Sequence, residues 1–504
     1  MKTSPHIIEK VVVEINTSEV KTANNIKNNI DVFLKKEIFP KLEKLFQKYD
    51  IPNAVVRFQK LNIDLNVKDW ENKGQIKFEI LSRFEEQLHK KNRGEGVISE
   101  LPDVNSSHSE VELQNLTVDK NEEEIFLYFL KNGFLPWYGK KQQIEAFRKK
   151  KSWQNSLSNP DFVKNLNDLL LKNETVFVRF FYQFPVEMLV AFHTKINGRL
   201  AEVNTLMVDT LNKLKNGLDL EFLHTLFLIS VEKKNDRLIS VIQHWLKLLQ
   251  ENKKSLENKG DGLISNIGKI LLRVVADDLI SDVKFQKILN ESLFLISNDK
   301  FQQDVYAILY DDKEKTETSL TEKIKGELKK ERDFFESNAT EIVVQNAGLV
   351  VLHPFLKHFF TEVKIINKLG NIIPAKRELA VQTLHYLATG SEEFFEGNLV
   401  FEKFLCGLSL SMPIPRKSRL TDEIRKEAEI MLAEVIKNWS ELKNTSPDGL
   451  RQMFLQRDGK LIQNDKNFKL IIERKAQDIL LDKLSWNISI IKLKWLTEML
   501  FVDW

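Results

Sequence analysis

From Thr17 to Tyr49 apolar residues recur every three or four positions, at Ile26, Ile30, Phe33, Leu34, Ile38, Leu42, Leu45, Phe46 and Tyr49. That period predicts one long amphipathic helix, and Pro40 inside it is expected to kink or split it. The pattern changes on either side. Val11, Val12, Val13 and Ile15 in residues 6–16, and Leu61, Ile63 and Leu65 in residues 55–65, are β-branched or alternate, so strands are expected at 11–15 and 55–65. The amino-terminal region thus reads as strand–helix–strand, followed by a helix from about residue 77 to residue 90.

Between residues 93 and 121, Gly94, Gly96, Pro102, Ser106, Ser107 and Ser109 stand among acidic residues with few large apolar ones, the composition of a flexible linker. A helical period resumes at Glu122 with Ile125-Phe126-Leu127-Tyr128-Phe129-Leu130 and stops at Gly133-Phe134-Leu135-Pro136-Trp137-Tyr138-Gly139. Helices dominate residues 160–310, with breaks expected at Phe184-Pro185, Gly198, Gly217 and Lys259-Gly260-Asp261-Gly262. Residues 311–335 are charged and poor in large apolar side chains, and read as a hinge or an exposed helix. Beyond them, helices are expected at 377–389, 399–406, 421–442 and 475–484, and strands at 468–473 and 487–492. Thr421-Asp422-Glu423 supplies an N-terminal cap for the third of these helices. The Val-Ile-x-x-Trp-x-x-Leu pattern occurs at both 241–248 and 435–442, and its i, i+4, i+7 spacing is that of one helical face.

The expected fold class is mainly α, with small α+β regions near both termini and a compact helical middle. Five segments follow: an N-terminal domain 1–92, a linker 93–121, a helical middle domain 122–310, the charged segment 311–335, and a C-terminal α+β domain 336–504 with a Trp-rich tail. With 504 residues the chain exceeds the roughly 250–300 at which a single core stops growing, so several domains are reasonable.

Charge and composition narrow the partners. Lys+Arg number 75 against 72 Asp+Glu, interspersed, so no basic field invites nucleic acid. The 33 Phe against 7 Tyr point to rings packed in cores. One cysteine, Cys406, excludes an intrachain disulfide. Met1 to Lys10 lack the apolar core of an export signal, which suggests a cytoplasmic start. The apolar stretches 222–231 and 176–192 are too short or carry Arg179, Gln183, Pro185 and Glu187, so no membrane insertion is expected.

Motifs for catalysis fail at the residue that would carry the chemistry. Gly262 and Gly268 are separated by five residues, and Ile270 stands where a phosphate loop needs Ser or Thr. Gly407-Leu408-Ser409-Leu410-Ser411 lacks the second glycine of a nucleophile elbow. His353 and His358 are five apart with Pro354 between them, and do not share a helical face. His385, beside Tyr386 in an apolar helix, and Cys406, without a basic neighbour, read as core residues. Trp486, Trp495 and Trp504 are expected in the C-terminal core or against a partner. No catalytic, cofactor-binding or metal-binding residue is expected, and the protein reads as not an enzyme.

Several ordered motifs carry a resemblance. They are Tyr128-Phe129-Leu130-Lys131-Asn132-Gly133-Phe134-Leu135-Pro136-Trp137, Asn346-Ala347-Gly348-Leu349-Val350-Val351-Leu352-His353-Pro354-Phe355-Leu356, and Leu384-His385-Tyr386-Leu387-Ala388-Thr389-Gly390. Phe404-Leu405-Cys406-Gly407-Leu408, Thr445-Ser446-Pro447-Asp448-Gly449-Leu450-Arg451, Phe454-Leu455-Gln456-Arg457-Asp458-Gly459-Lys460-Leu461 and the closing Leu493 to Trp504 complete the set. Together they resemble the tape measure protein family of bacterial contractile injection systems, phage-tail-like particles of the antifeeding-prophage type. The resemblance spans most of the chain, with residues 190–330 supporting it by position only.

The resemblance implies a non-enzymatic assembly protein that sets or supports tail tube length, with tail tube, sheath or baseplate proteins as partners. No cofactor is expected, the charge and hydropathy patterns argue against nucleic acid and membrane insertion, and the protein is expected in the cytoplasm during assembly, leaving open whether it stays with the particle. It marks Leu135, Pro136, Trp137, His353, Pro354, His385, Tyr386, Trp486, Trp495 and Trp504 as motif or interface residues. A literal ruler sits uneasily with the sequence. The whole chain as one helix would reach about 750 Å, but its longest proline-free stretch, 186–353, gives roughly 250 Å and contains glycines. An assembly chaperone or scaffold for tube or baseplate subunits is the alternative, and a hydrolase acting on cell wall or protein a more distant one.

Overall fold

Pro40 breaks the first helix through a π turn. In the computed structural model, α1 (Val20–Phe33) runs into a π turn at Leu34–Ile38, and α2 (Phe39–Tyr49) follows with Pro40 in its first turn. Proline offers no amide to the carbonyl four residues back, and the register shifts just before it, where the Phe39 N–H bonds to Leu34 O, five residues back. The described residues are 6–9, 11–50, 54–58, 63–67, 69–92, 113–197, 208–212, 224–225, 227, 244, 248, 341–442, 444–464 and 467–504. They fall into two compact units, Met1–Glu124 and Ile125–Trp504.

In the first unit α3 (Lys73–Asn92) covers the bent helix. Phe33, Ile38, Leu42 and Ile76 form its centre, with Phe33 edge-on to Trp70 at 5.8 Å and Phe46 edge-on to Phe84 at 6.2 Å. Two strand expectations change here. Residues 11–15 join no ladder among the described residues, and Val12 is 75% exposed. β-branched side chains favour an extended backbone, but a strand also needs a paired neighbour to accept its amides. The second strand, β1, is only Ala54–Phe58, and residues 63–67 carry no ladder. Its antiparallel partner β2 (Leu113–Thr117) lies inside the segment expected to be a flexible linker, with Val55 opposite Leu116. α4 (Val118–Asn132) begins directly after it, so 113–121 is ordered, while 93–112 lies outside the described residues. Composition missed β2 because its hydrogen bonds are backbone bonds, which polar residues such as Gln114 and Asn115 form equally well.

The second unit continues with α5 (Lys141–Phe147), α6 (Lys150–Leu157), α7 (Pro160–Lys172), α8 (Glu174–Gln183) and α9 (Val186–Asn197). The break at Phe184-Pro185 is as the sequence predicts. Asn159 and Asn173 cap α7 and α8 by accepting the amides of Asp161 and Val176. Phe126 is the hub of an aromatic core, with Phe147, Trp153, Phe162, Phe180 and Phe184 within 4.5–6.2 Å of its ring. The expected breaks at Gly198, Gly217 and 259–262, the 241–248 pattern apart from His244 and Leu248, and the charged segment 311–335 lie outside the described residues.

The chain re-enters at β3 (Glu341–Val344) and a wholly buried 3-10 segment, Ala347–Leu352. Then come α10 (His353–Glu362), α11 (Arg377–Thr389), α12 (Val400–Leu405), α13 (Asp422–Asn438) and α14 (Pro447–Leu450), the last running into a π turn at Arg451–Leu455. Thr421 caps α13 as expected, accepting the Ile424 amide. β4 (Gly459–Asn464), β5 (Asn467–Ile472), β6 (Ile490–Ile491) and β7 (Leu500–Asp503) complete a sheet of order β3-β4-β5-β7-β6, antiparallel except between β5 and β7. Its inner face, including Ile342, Val344, Leu461, Leu470 and Leu500, enters the core. β3 and β4 were not expected as strands, and the expected helix at 475–484 is a 3-10 segment, Ala476–Lys483. The protein is therefore mainly helical with a small sheet near each end.

The segments expected as a middle and a C-terminal domain share one unit, since residues 125–197 and 341–504 pack together. The close crossing of the 3-10 segment over the π turn needs Gly348, where a Cβ would stand 1.7 Å from Phe454 O. Gly348→Ala is expected to destabilise this unit by at least about 3 kcal/mol, the upper end of overpacking costs. Thermal unfolding measures it, and an unchanged melting temperature would contradict the crossing.

Candidate functional site

Helix α8 buries Val176, Phe177, Val178, Phe180 and Phe181, yet it also carries Arg179 at 0% exposure. A guanidinium in that position must find its counter-charge within the fold. Its Nε lies 3.1 Å from Glu396 Oε1, and its terminal nitrogens donate to the carbonyls of Leu130, Lys131 and Ser411. The same Glu396 oxygen accepts from Lys403 Nζ at 2.7 Å, and Lys403 also donates to Leu410 O at 3.1 Å. Burial, only partly offset by Glu396, pushes the Lys403 ammonium down to about 8. Neighbouring Glu402 accepts from Asn346 Nδ2 at 2.7 Å and lies 3.5 Å from His385 Nδ1. Glu396 thus bridges a guanidinium and an ammonium in a buried site, with Glu402 beside them.

Gly133 makes room for this cluster. Its φ is +80°, and a Cβ there would stand 2.8 Å from an Arg179 nitrogen and 2.9 Å from Leu410 O. Around it, Gln183 Nε2 donates to Ile414 O at 2.7 Å, Arg416 donates to Gln183 Oε1 at 3.1 Å and to Glu145 Oε1 at 2.7 Å, and Phe129 stacks on Phe395 at 5.0 Å. α4, α5 and α8 are thereby fixed to residues 395–416.

A second buried pair closes the chain end. Arg457 grips Asp478 with two bonds of 2.7 and 2.8 Å, and the Lys475 amide and Trp504 Nε1 donate to the same carboxylate. Burial alone would raise the Asp478 carboxyl, but these donors, led by Arg457, hold it below its ordinary value.

The motif residues occupy separate places. Leu135 is half-buried, Pro136 is buried, and Trp137 is 41% exposed beside Tyr138. His353 is half-buried with Nε2 2.8 Å from Asn487 O, burial lowering its pKa, and Pro354 is exposed. Trp486 comes to the same place, donating to Val351 O at 2.9 Å and meeting Phe355 edge-on. His385 is buried beside Glu402, and Tyr386 lies under the Arg451 guanidinium at 5.6 Å. Trp495 donates to Leu405 O at 2.8 Å and packs on Phe360. Most are anchors of the core rather than members of one site. Arg179, Glu396, Glu402 and Lys403 carried no functional expectation, although a charge set among phenylalanines, as in Val178-Arg179-Phe180 and Phe401-Glu402-Lys403-Phe404, signals an obligatory buried pair.

Chemically the cluster holds charge in place. Cys406 adjoins it, and burial together with Glu402 raises its thiol well above the ordinary range, which keeps it protonated. Among the described residues no group of three His, Cys, Asp or Glu side chains could hold a metal ion, and no helix is long and apolar enough to cross a membrane.

A family model described as contractile injection system tape measure protein matches residues 5–504. No curated protein and no solved structure matches the chain.

Arg179→Met is expected to cost about 3–5 kcal/mol in denaturant unfolding, because it strips a donor from Glu396 and from three carbonyls. A cost below about 1 kcal/mol would contradict the pairing. Lys403 gives a pH signature of definite sign. Its folded pKa of about 8 lies below the ordinary 10.5, so between these values the unfolded chain holds more protons and stability gains from rising pH. The unfolding free energy of the wild type minus that of Lys403→Met should therefore increase from pH 8 to pH 10, and a decrease would contradict the burial of the ammonium.

Proposed function

The chain belongs to the contractile injection system tape measure protein family, and on that premise we propose that it serves tail assembly as a folded, non-enzymatic component. Membership supports a role in tail length. In the proposed reading, tube, sheath or baseplate proteins are its partners, and it meets them in the cytoplasm while tails assemble.

The observation that carries this reading is the ion pair between Arg179 and Glu396, 217 residues apart in sequence. Residues 125–197 and 341–504 belong to one compact unit, and between them His224 and Phe227 also meet it, at Leu170 O and at the Phe177 ring. A ruler read residue by residue needs its two ends apart, whereas a stretch anchored at both ends in one body does not add its full length to a tail. The charged groups buried in this unit are engaged in holding segments together, which favours a structural role over catalysis.

Deleting blocks of residues within 198–340 tests the reading. Electron micrographs should show fewer particles of unchanged tail length. Tails that shorten in proportion to the residues removed, by up to about 1.5 Å each, would overturn it in favour of a residue-counting ruler.

A further inference from the structure

Within the second unit, five described tryptophans spend their indole N–H on the fold. Trp153 donates to Met188 O, Trp439 to Leu480 O, Trp486 to Val351 O, Trp495 to Leu405 O and Trp504 to Asp478 Oδ2, all at 2.8–3.1 Å. Trp137 differs. Among the described residues its Nε1 has no acceptor, and its ring is 41% exposed. An indole is a costly side chain to leave in water, and one with a free donor is equipped for a partner.

The ring is presented on a rigid turn. Phe134 is buried edge-on to Tyr128 at 5.8 Å, Pro136 is buried, and the Gly139 N–H closes the turn on Pro136 O at 2.8 Å. Upstream, Gly133 is wedged against Arg179 and Leu410. A ring held this way loses little freedom on binding. Along the segment that carries the turn, the exposed charges are positive, and the next acidic residue after it, Glu145, is engaged by Arg416 and Arg148. Residues 125–144 contain Lys131, Lys140 and Lys141 and no acidic residue, and all three lysines are exposed without an ion-pair partner among the described residues.

We propose that Trp137, Tyr138 and these lysines form a docking site for an acidic protein surface on a tail component, a step that rests on the function proposed above. The indole N–H donates to a carbonyl or carboxylate of the partner, the ring fills an apolar recess, and the lysines meet flanking carboxylates. An exposed aromatic with charged residues close by in the chain has the composition of a protein hot spot. Three cations fall short of the six to ten phosphate contacts typical of nucleic-acid affinity.

The test titrates the full chain against the purified tube, sheath and baseplate proteins of the same particle, at low and high salt. The wild type should bind one of them, Trp137→Ala should bind it at least tenfold more weakly, and Trp137→Phe should fall between. Joint Lys131→Glu, Lys140→Glu and Lys141→Glu should weaken binding and flatten its salt dependence, and every variant should melt like the wild type because these side chains are exposed. Equal affinity of wild type and Trp137→Ala would overturn the docking site while leaving the tail-assembly reading intact. A wild type that binds none of the three would overturn both. Vesicles of phosphatidylcholine and phosphatidylserine serve as the control, and Trp137-dependent binding to them would reassign the surface to lipid and overturn the proposal.

Discussion

A buried arginine organises the larger unit. Arg179 sits in a helix that is otherwise largely buried and apolar, and its charge is tolerable there only because the Glu396 carboxylate and three carbonyls surround it. Those partners come from the end of α4 and from residues 396–411, so satisfying one guanidinium fixes the mutual position of segments that lie far apart in sequence. Hydrophobic packing supplies the bulk of the stabilisation but is tolerant of sliding, since phenylalanine meets phenylalanine in many registers. A buried fork of donors has few solutions, and it selects one.

The same logic explains the motif residues. Gly133 is a glycine because Arg179 and Leu410 occupy the space of its Cβ, and Gly348 because the Phe454 carbonyl does. The tryptophans of the tail tie β-strand connections to the core through their indole donors: Trp486 to Val351, Trp495 to Leu405 and Trp504 to Asp478. Long ordered motifs in this chain therefore record places where backbones approach closely or where a polar group must be satisfied in the interior. They say how the body is built, and the family membership says what the body is for.

Helices were largely legible in the sequence. The span 377–389 matches α11 at both ends, and Thr421 and Phe184-Pro185 punctuate the chain as their chemistry dictates. Strands were legible only where side chains alternate between core and solvent, as in β5. Residues 11–15 have the side chains of a strand without a paired neighbour among the described residues, and β2 has the neighbour without the side chains. Pairing is a property of two segments, and a single run of sequence records only one of them. The union of 125–197 with 341–504 was hidden for a related reason. Arg179 was visible as a charge that forbids a membrane span, but its carboxylate partner lies 217 residues away.

A ruler and a folded body place opposite demands on such a contact. An extended helix gains nothing from an ion pair across 217 residues, and a folded body depends on it. A double-mutant cycle between Arg179→Met and Glu396→Gln, measured by equilibrium unfolding, tests that dependence most directly. Each single change should destabilise strongly and the double change by less than their sum, with a coupling above about 1.5 kcal/mol, as expected for neighbours in one network. Additivity within about 0.5 kcal/mol would mean that the two residues do not meet, and the single body built on their pairing would be contradicted.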